Sequence, residues 1–169
     1  MPQEEVIQRA ERDKREGKSA STQAGEFVRE EMHHVREGKH GARSPQQAIA
    51  IGLSKARRAG VKLPAPKRGK TSDRTRRQAL HELSRGRFSR GRMPSKRRSR
   101  GTLRALQREG HSAASPRALG PHARSAARRR GRRSLHGAAV KAVRTKGRAG
   151  LRAAARKAVR TRAKHRKAA

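Results

Sequence analysis

"REGKHGARSPQQ" (residues 36–47) is the stretch on which the reading of this chain turns. Gly38, Lys39, Gly41, Arg43 and Ser44 stand just ahead of an apolar run, an order that suits either a phosphate cradle or a turn between two helices. A phosphate loop needs glycine, four residues, then Gly-Lys-Ser/Thr, between a strand and a helix. Here His40 takes the Ser/Thr place and no strand pattern precedes it. The turn reading wins: Gly38 ends one helix, Gly41 lets the chain turn, and Ser44 caps the next helix. Pro45 fits the first helical position and Gln47 the capping-box position. A narrower role survives, because the first amides of that helix, with Lys39, His40 and Arg43 alongside, can face a phosphate.

Working outward, residues 3–63 read as three helices. Each ends in basic residues near a glycine, at Gly17, Gly38 and Gly60, where a left-handed C′ residue closes a helix. Ser19, Ser21 or Thr22 can cap the second helix. Its apolar residues Val28, Met32 and Val35, beside Phe27, keep helical spacing. The third helix carries Ile49 and Leu53, with Ala48, Ile51 and Ala56 widening the stripe. Nine large apolar side chains over residues 22–63 predict a hairpin that is marginal alone, steadied by the first helix, a second copy or a bound polyanion.

Charge is segregated. Residues 1–40 hold nine of the twelve acids and eight Lys/Arg, whereas residues 41–169 hold three acids and forty Lys/Arg. From His111 onward there is no acid, and 19 Lys/Arg fall in 59 residues. Only 31% of the chain is hydrophobic, and Phe27 and Phe88 are its only aromatics. Low hydrophobicity with a net charge of +36 predicts disorder, since little apolar surface is on hand to offset ordering entropy.

The expected fold class is therefore all-α: a small N-terminal helical hairpin or three-helix module (1–63), followed by long disordered basic arms with transient helices. In the Arg/Ser/Gly-rich linker (64–137), "LPAPKRGK" marks the boundary and a short helix is expected over 73–85, with Gly86 after its end. "SRGRFSRGRMPSKRRSRG" (84–101) lacks periodicity and is expected to be disordered, and "GTLRALQREG" suits two turns. The tail (138–169) repeats after sixteen residues: "AAVKAVRTK" (138–146) and "AARKAVRTR" (154–162) share seven of nine residues. Like charges at i, i+4 oppose its helix and predict a mostly unfolded tail until phosphates bind.

Candidate chemistry is sparse. The chain has no cysteine, which excludes disulfides and thiolate sites. No apolar run of 18 residues exists to span a membrane, and the N-terminus lacks the apolar core of a secretory signal, so an intracellular protein is the expectation. His33 and His34 are adjacent and diverge, and His40 lies beyond the helix end, so the three read as solvated histidines with no metal and no cofactor. Glu30, Glu31 and Glu37 read as partners of basic neighbours, no serine sits in a nucleophile elbow, and no enzyme is expected.

The basic residues carry the functional expectation. They point to nucleic acid, DNA ahead of RNA, held through phosphates with little sequence preference, in a histone-like, nucleoid-associated role. The alternatives are an RNA-binding or ribosome-associated protein and a protein-interaction module localised by its tail. The scarcity of aromatics disfavours stacking on single strands. The candidate contacts are Lys39 and Arg43 in the loop, then Lys55, Arg57 and Arg58 on a candidate recognition helix. Further on they are Arg97, Arg98, Arg128, Arg129, Arg130, Arg132, Arg133, Lys141, Arg144, Lys146, Arg156, Lys157, Arg160 and Arg162. A homo-oligomer or a protein partner through the N-terminal module remains open, and a membrane is the least favoured partner.

"GEFVREEMHHVREGKHGARSPQQAIAIGLSKARRAGVKLP" (25–64) resembles the signature block of a family of small, highly basic bacterial proteins of unknown function. Those proteins carry the block near the N-terminus and an Ala/Lys/Arg-rich tail. The resemblance implies no activity and transfers no catalytic residue. The tail separately resembles, in composition, those of linker-histone-like bacterial proteins.

Overall fold

A computed structural model describes residues 3–87 and 95–167. The helices are α1 (Glu4–Arg15), α2 (Ala20–Arg36), α3 (Pro45–Arg58), α4 (Asp73–Arg87), α5 (Lys96–Gln107) and α6 (Pro116–Lys167), with one 3-10 turn at Ser112–Ala114. Two compact units follow along the chain, Met1–His122 and Ala123–Ala169.

The first three helices form where their caps place them. Gly17, Gly38 and Gly60 have φ of 69°, 72° and 91°, so each takes the left-handed conformation that ends a helix. The Ser19 hydroxyl accepts from the Thr22 amide and starts α2. The Ser44 hydroxyl accepts from the Gln47 amide at 3.2 Å, while the Gln47 side chain accepts from the Arg43 amide at 2.8 Å. This reciprocal cap, with Pro45 at the first helical position, is the local reason that α3 begins there.

α2 and α3 meet through small residues. Ala48, Gly52 and Ala56, four residues apart, form the buried line of α3, and Ile49 and Leu53 are only half-buried. A Cβ on Gly52 would stand 2.7 Å from Val28 Cα, so the close crossing depends on glycine. Val6 and Ala10 of α1 join Ala24, Phe27, Ala56 and Val61 in one apolar cluster. A second cluster joins Met32, Val35, Ala42 and Ala48 to Ala113 and Ala114.

The expectation of long disordered arms is overturned here, because the chain after residue 64 is helical over most of its described length. α4 packs on α3 through buried Ala79 and Glu82. It is capped by Ser72, and Gly86 lies inside it, where a Cβ would stand 2.0 Å from Arg57 O. Of the stretch 84–101, residues 88–94 lie outside the described residues, and α5 begins at Lys96 and runs for three turns. The end of α5 and the segment after it return to α2 and the loop that follows it: Gly41 N–H donates to Leu106 O, Ala42 N–H to Gly110 O, and Arg36 Nε–H to Ala114 O. The compact unit thus extends to His122 and does not end at residue 63.

The second unit corrects the expectation of an unfolded tail. Ala, Lys and Arg are strong helix formers, and a like-charge pair opposes a helix by only about 0.2–0.5 kcal/mol. Alanine-rich turns at 138–146 and 154–162 therefore hold as helix. The run is broken at Gly131 (φ 76°, ψ 160°) and Gly147 (φ 64°, ψ 175°). These breaks are sixteen residues apart, so they fall in register with the sequence repeat. Residues 131–146 and 147–162 agree at ten of sixteen positions, each unit being a non-helical glycine followed by fifteen helical residues. The Thr145 hydroxyl donates to Lys141 O and the Thr161 hydroxyl to Lys157 O, each at 2.9 Å, so the repeat extends to side-chain bonds.

Candidate functional site

The "GKHGARS" loop is a lid over buried charge. Lys39 N–H donates to His34 O at 3.0 Å, which turns the chain back over the end of α2. His40 and Ala42 are thereby buried. Gly41 is glycine because of a close backbone approach: its φ is not left-handed, and a Cβ there would stand 1.8 Å from Glu109 O. That differs from the turn-making role read from the sequence.

Beneath the lid lies an ion cluster. Glu31 is fully buried and Glu30 is 5% exposed. Lys55 Nζ reaches Glu31 Oε2 at 2.6 Å and Glu30 Oε2 at 3.8 Å. His40 Nε2 lies 3.0 Å from Glu31 Oε1, and His40 Nδ1 lies 3.1 Å from Gly41 O. Glu30 Oε1 accepts from the Gln3 amide at 2.7 Å, tying α1 to the cluster. The rings of His34 and His40 meet edge to face with centroids 5.9 Å apart, so these histidines are not the separate, solvated groups read from the sequence. Burial, reinforced by the Lys55 charge, lowers the His34 pKa below the ordinary histidine value.

A second buried pair corrects the recognition-helix reading of α3. Arg57 is 7% exposed, donates to Leu63 O and Pro64 O, and lies 4.0 Å from Glu82 Oε2. Burial lowers its pKa, and the Glu82 charge opposes that shift. Glu82 also accepts from Ser54 and Gln78. Lys55 and Arg57 therefore face inward, because Glu31 and Glu82 on the packed helices supply their counter-charges. Arg58 alone of the three is exposed, bonded to Ser54 O.

The remaining candidates are at the surface. Lys39 is paired with Glu37 at 2.9 Å and holds the Glu37 carboxyl below its ordinary pKa, chiefly through that hydrogen bond. The Arg43 side chain is 80% exposed and 3.9 Å from Glu109. Arg97 and Arg98 are exposed on the first turn of α5. In the second unit Arg128, Arg129, Arg130, Arg132, Arg133, Lys141, Arg144, Lys146, Arg156, Lys157, Arg160 and Arg162 are all exposed, and Arg129 donates to the Ser125 hydroxyl.

At about 100° per residue, Arg152, Arg156 and Arg160 form one line along the last repeat, with Lys157 beside it. Leu151, Ala154, Ala155 and Ala158 occupy the other side. The first repeat places Arg133, Arg144 and Lys141 opposite Leu135, Ala138, Ala139 and Ala142.

The buried cluster was missed because Glu30 and Glu31 look like surface partners. One signal was present: Glu31 lies four residues from both Phe27 and Val35, on the line that both bury.

Residues 14–68 match the profile of a family of unknown function (DUF6496). That segment holds the end of α1, all of α2 and α3, and every residue of the Glu30–Glu31–His34–His40–Lys55 cluster. No curated protein and no solved structure matches the chain. Among the described residues, no helix is long and apolar enough to cross a membrane.

Proposed function

We propose that the protein binds nucleic acid, DNA foremost, through phosphate contacts with little sequence preference, as a nucleoid-associated neutralising or compacting protein. The supporting observation is the repeated, acid-free helix of the second unit. Each fifteen-residue helix is about 22 Å long, a length that fits along a DNA groove. The two repeats carry five and six Lys/Arg, and those within the candidate set are exposed. Arginine predominates, and its planar fork pairs with phosphate oxygens bidentately. With few aromatics to stack on bases, backbone contact is the chemistry on offer.

Lys55 and Arg57 leave the binding set, since the first unit uses them internally. Arg43 and Arg58 stay in it as exposed cations. The test is binding of the full chain to duplex DNA and to structured RNA of equal length, across a salt series. Affinity falling with log[salt] at a slope of about −0.9 per neutralised phosphate, alike for unrelated duplex sequences, is expected. Tighter binding to RNA at matched salt would favour the RNA-binding alternative, and binding indifferent to salt would defeat both.

A further inference from the structure

We propose that Glu31, His34 and His40 form a binding site for a divalent transition metal, with zinc the natural occupant. Each residue offers one ligand atom, and the three atoms lie within 4.8 Å of one another. α2 places Glu31 and His34 at i, i+3 on one face, and the turn at Gly38 brings His40 back over them. Zinc bonds of about 2.0–2.2 Å to nitrogen and oxygen set ligands roughly 3.3 Å apart, so the trio makes three corners of a tetrahedron once the 3.0 Å His40–Glu31 pair opens slightly and His34 closes on it.

The orientation of each group favours this use. With His40 Nδ1–H donating to Gly41 O, Nε2 presents its lone pair toward Glu31 Oε1 at 3.0 Å. At that distance the nitrogen and the carboxylate oxygen share one cation, either a proton on Nε2 or a metal ion that widens the pair to about 3.3 Å. An imidazole whose far nitrogen is held by a backbone carbonyl is also the usual outer-sphere arrangement of a metal-bound histidine. Glu31 is wholly buried, and neither of its oxygens accepts an aligned hydrogen bond, although Lys55 and His40 are within ion-pair distance.

Glu30 and Glu31 bring two carboxylates beside the single ammonium of Lys55. The Lys55 ammonium opposes a metal ion, and Glu30 at 3.8 Å offsets it. His34 also borders a groove of about 340 Å³ whose walls include Arg9, Arg29, Glu30 and Lys39, so its edge of the trio is reachable from solvent.

The test uses the full untagged chain, stripped with chelator and titrated with zinc against a chromophoric competitor, and with cobalt followed by its visible absorption. One equivalent should bind, with the intense cobalt bands of a four-coordinate site. His34→Gln and His40→Gln should each weaken zinc at least tenfold, while His33→Gln leaves affinity unchanged. His34 is half-exposed, so its replacement spares the core and remains informative if a Glu31→Gln chain fails to fold. Equal zinc affinity in wild type and the His34→Gln/His40→Gln double variant would overturn the proposal. So would an NMR finding that His40 is an imidazolium bridging Glu31 and Gly41 O, unmoved by zinc.

Discussion

Gly41→Ala tests the docking that most enlarges this fold. The new Cβ would stand 1.8 Å from Glu109 O and 2.3 Å from Glu109 C, both backbone atoms that cannot rotate aside. The loop and the 106–110 segment must separate, which strains or breaks Gly41 N–H to Leu106 O (2.9 Å) and Ala42 N–H to Gly110 O (3.0 Å). Overpacking costs about 1–3 kcal/mol. Two hydrogen bonds contribute about 0.5–1.5 kcal/mol each, which brings the expected loss to roughly 2–6 kcal/mol. Urea unfolding followed by circular dichroism measures it, and amide exchange reports Gly41 and Ala42 directly. Gly25→Ala is the matched control. It lies in α2 with nothing within 4 Å of a Cβ, and should stabilise by about 0.5–1 kcal/mol. If Gly41→Ala unfolds within about 0.5 kcal/mol of wild type and the Gly41 amide exchanges freely in both, the docking of residues 106–114 on this loop is refuted.

Other expectations follow from the same contacts. Lys55→Ala leaves Glu31 buried without its ammonium and should cost about 3–5 kcal/mol in urea unfolding, whereas exposed Arg58→Ala should change stability by less than about 0.5. Replacing Arg152, Arg156 and Arg160 together with glutamine should preserve helicity by circular dichroism and flatten the DNA salt slope by up to about 2.7; an unchanged slope would show that this line does not meet phosphate. The Glu37 carboxyl should titrate below the usual carboxylate range by NMR and return toward it in Lys39→Ala. Because that folded-state pKa is depressed, the pairing contributes stability above the carboxylate range and loses it as pH falls through the Glu37 pKa.

The helix ends were legible in the sequence because they are local. Gly17, Gly38 and Gly60, and the Ser44-Pro45-Gln46-Gln47 start, act within four residues, where side-chain and backbone chemistry alone decide. The core of α3 was not, because Ile49 and Leu53 outrank Ala48, Gly52 and Ala56 in hydrophobicity while the helix crossing selects for small size. The inward turn of Lys55 and Arg57 was equally illegible, since their counter-charges, Glu31 and Glu82, come from other helices. The tail was misread by weight: repulsion between like charges was set above the helix propensity of alanine and arginine, which acts at every residue.

By itself, then, the sequence determined the all-α class, the three N-terminal helices, the segregation of charge and the sixteen-residue repeat, all consequences of short-range preference and composition. Tertiary structure alone decided that residues 106–114 close over the "GKHGARS" loop, that His40 and His34 meet beside Glu31, and that two basic side chains of α3 are internal. Those outcomes depend on which surfaces pack together, and a pairing between residues 24 or 78 positions apart leaves no periodic trace in the chain.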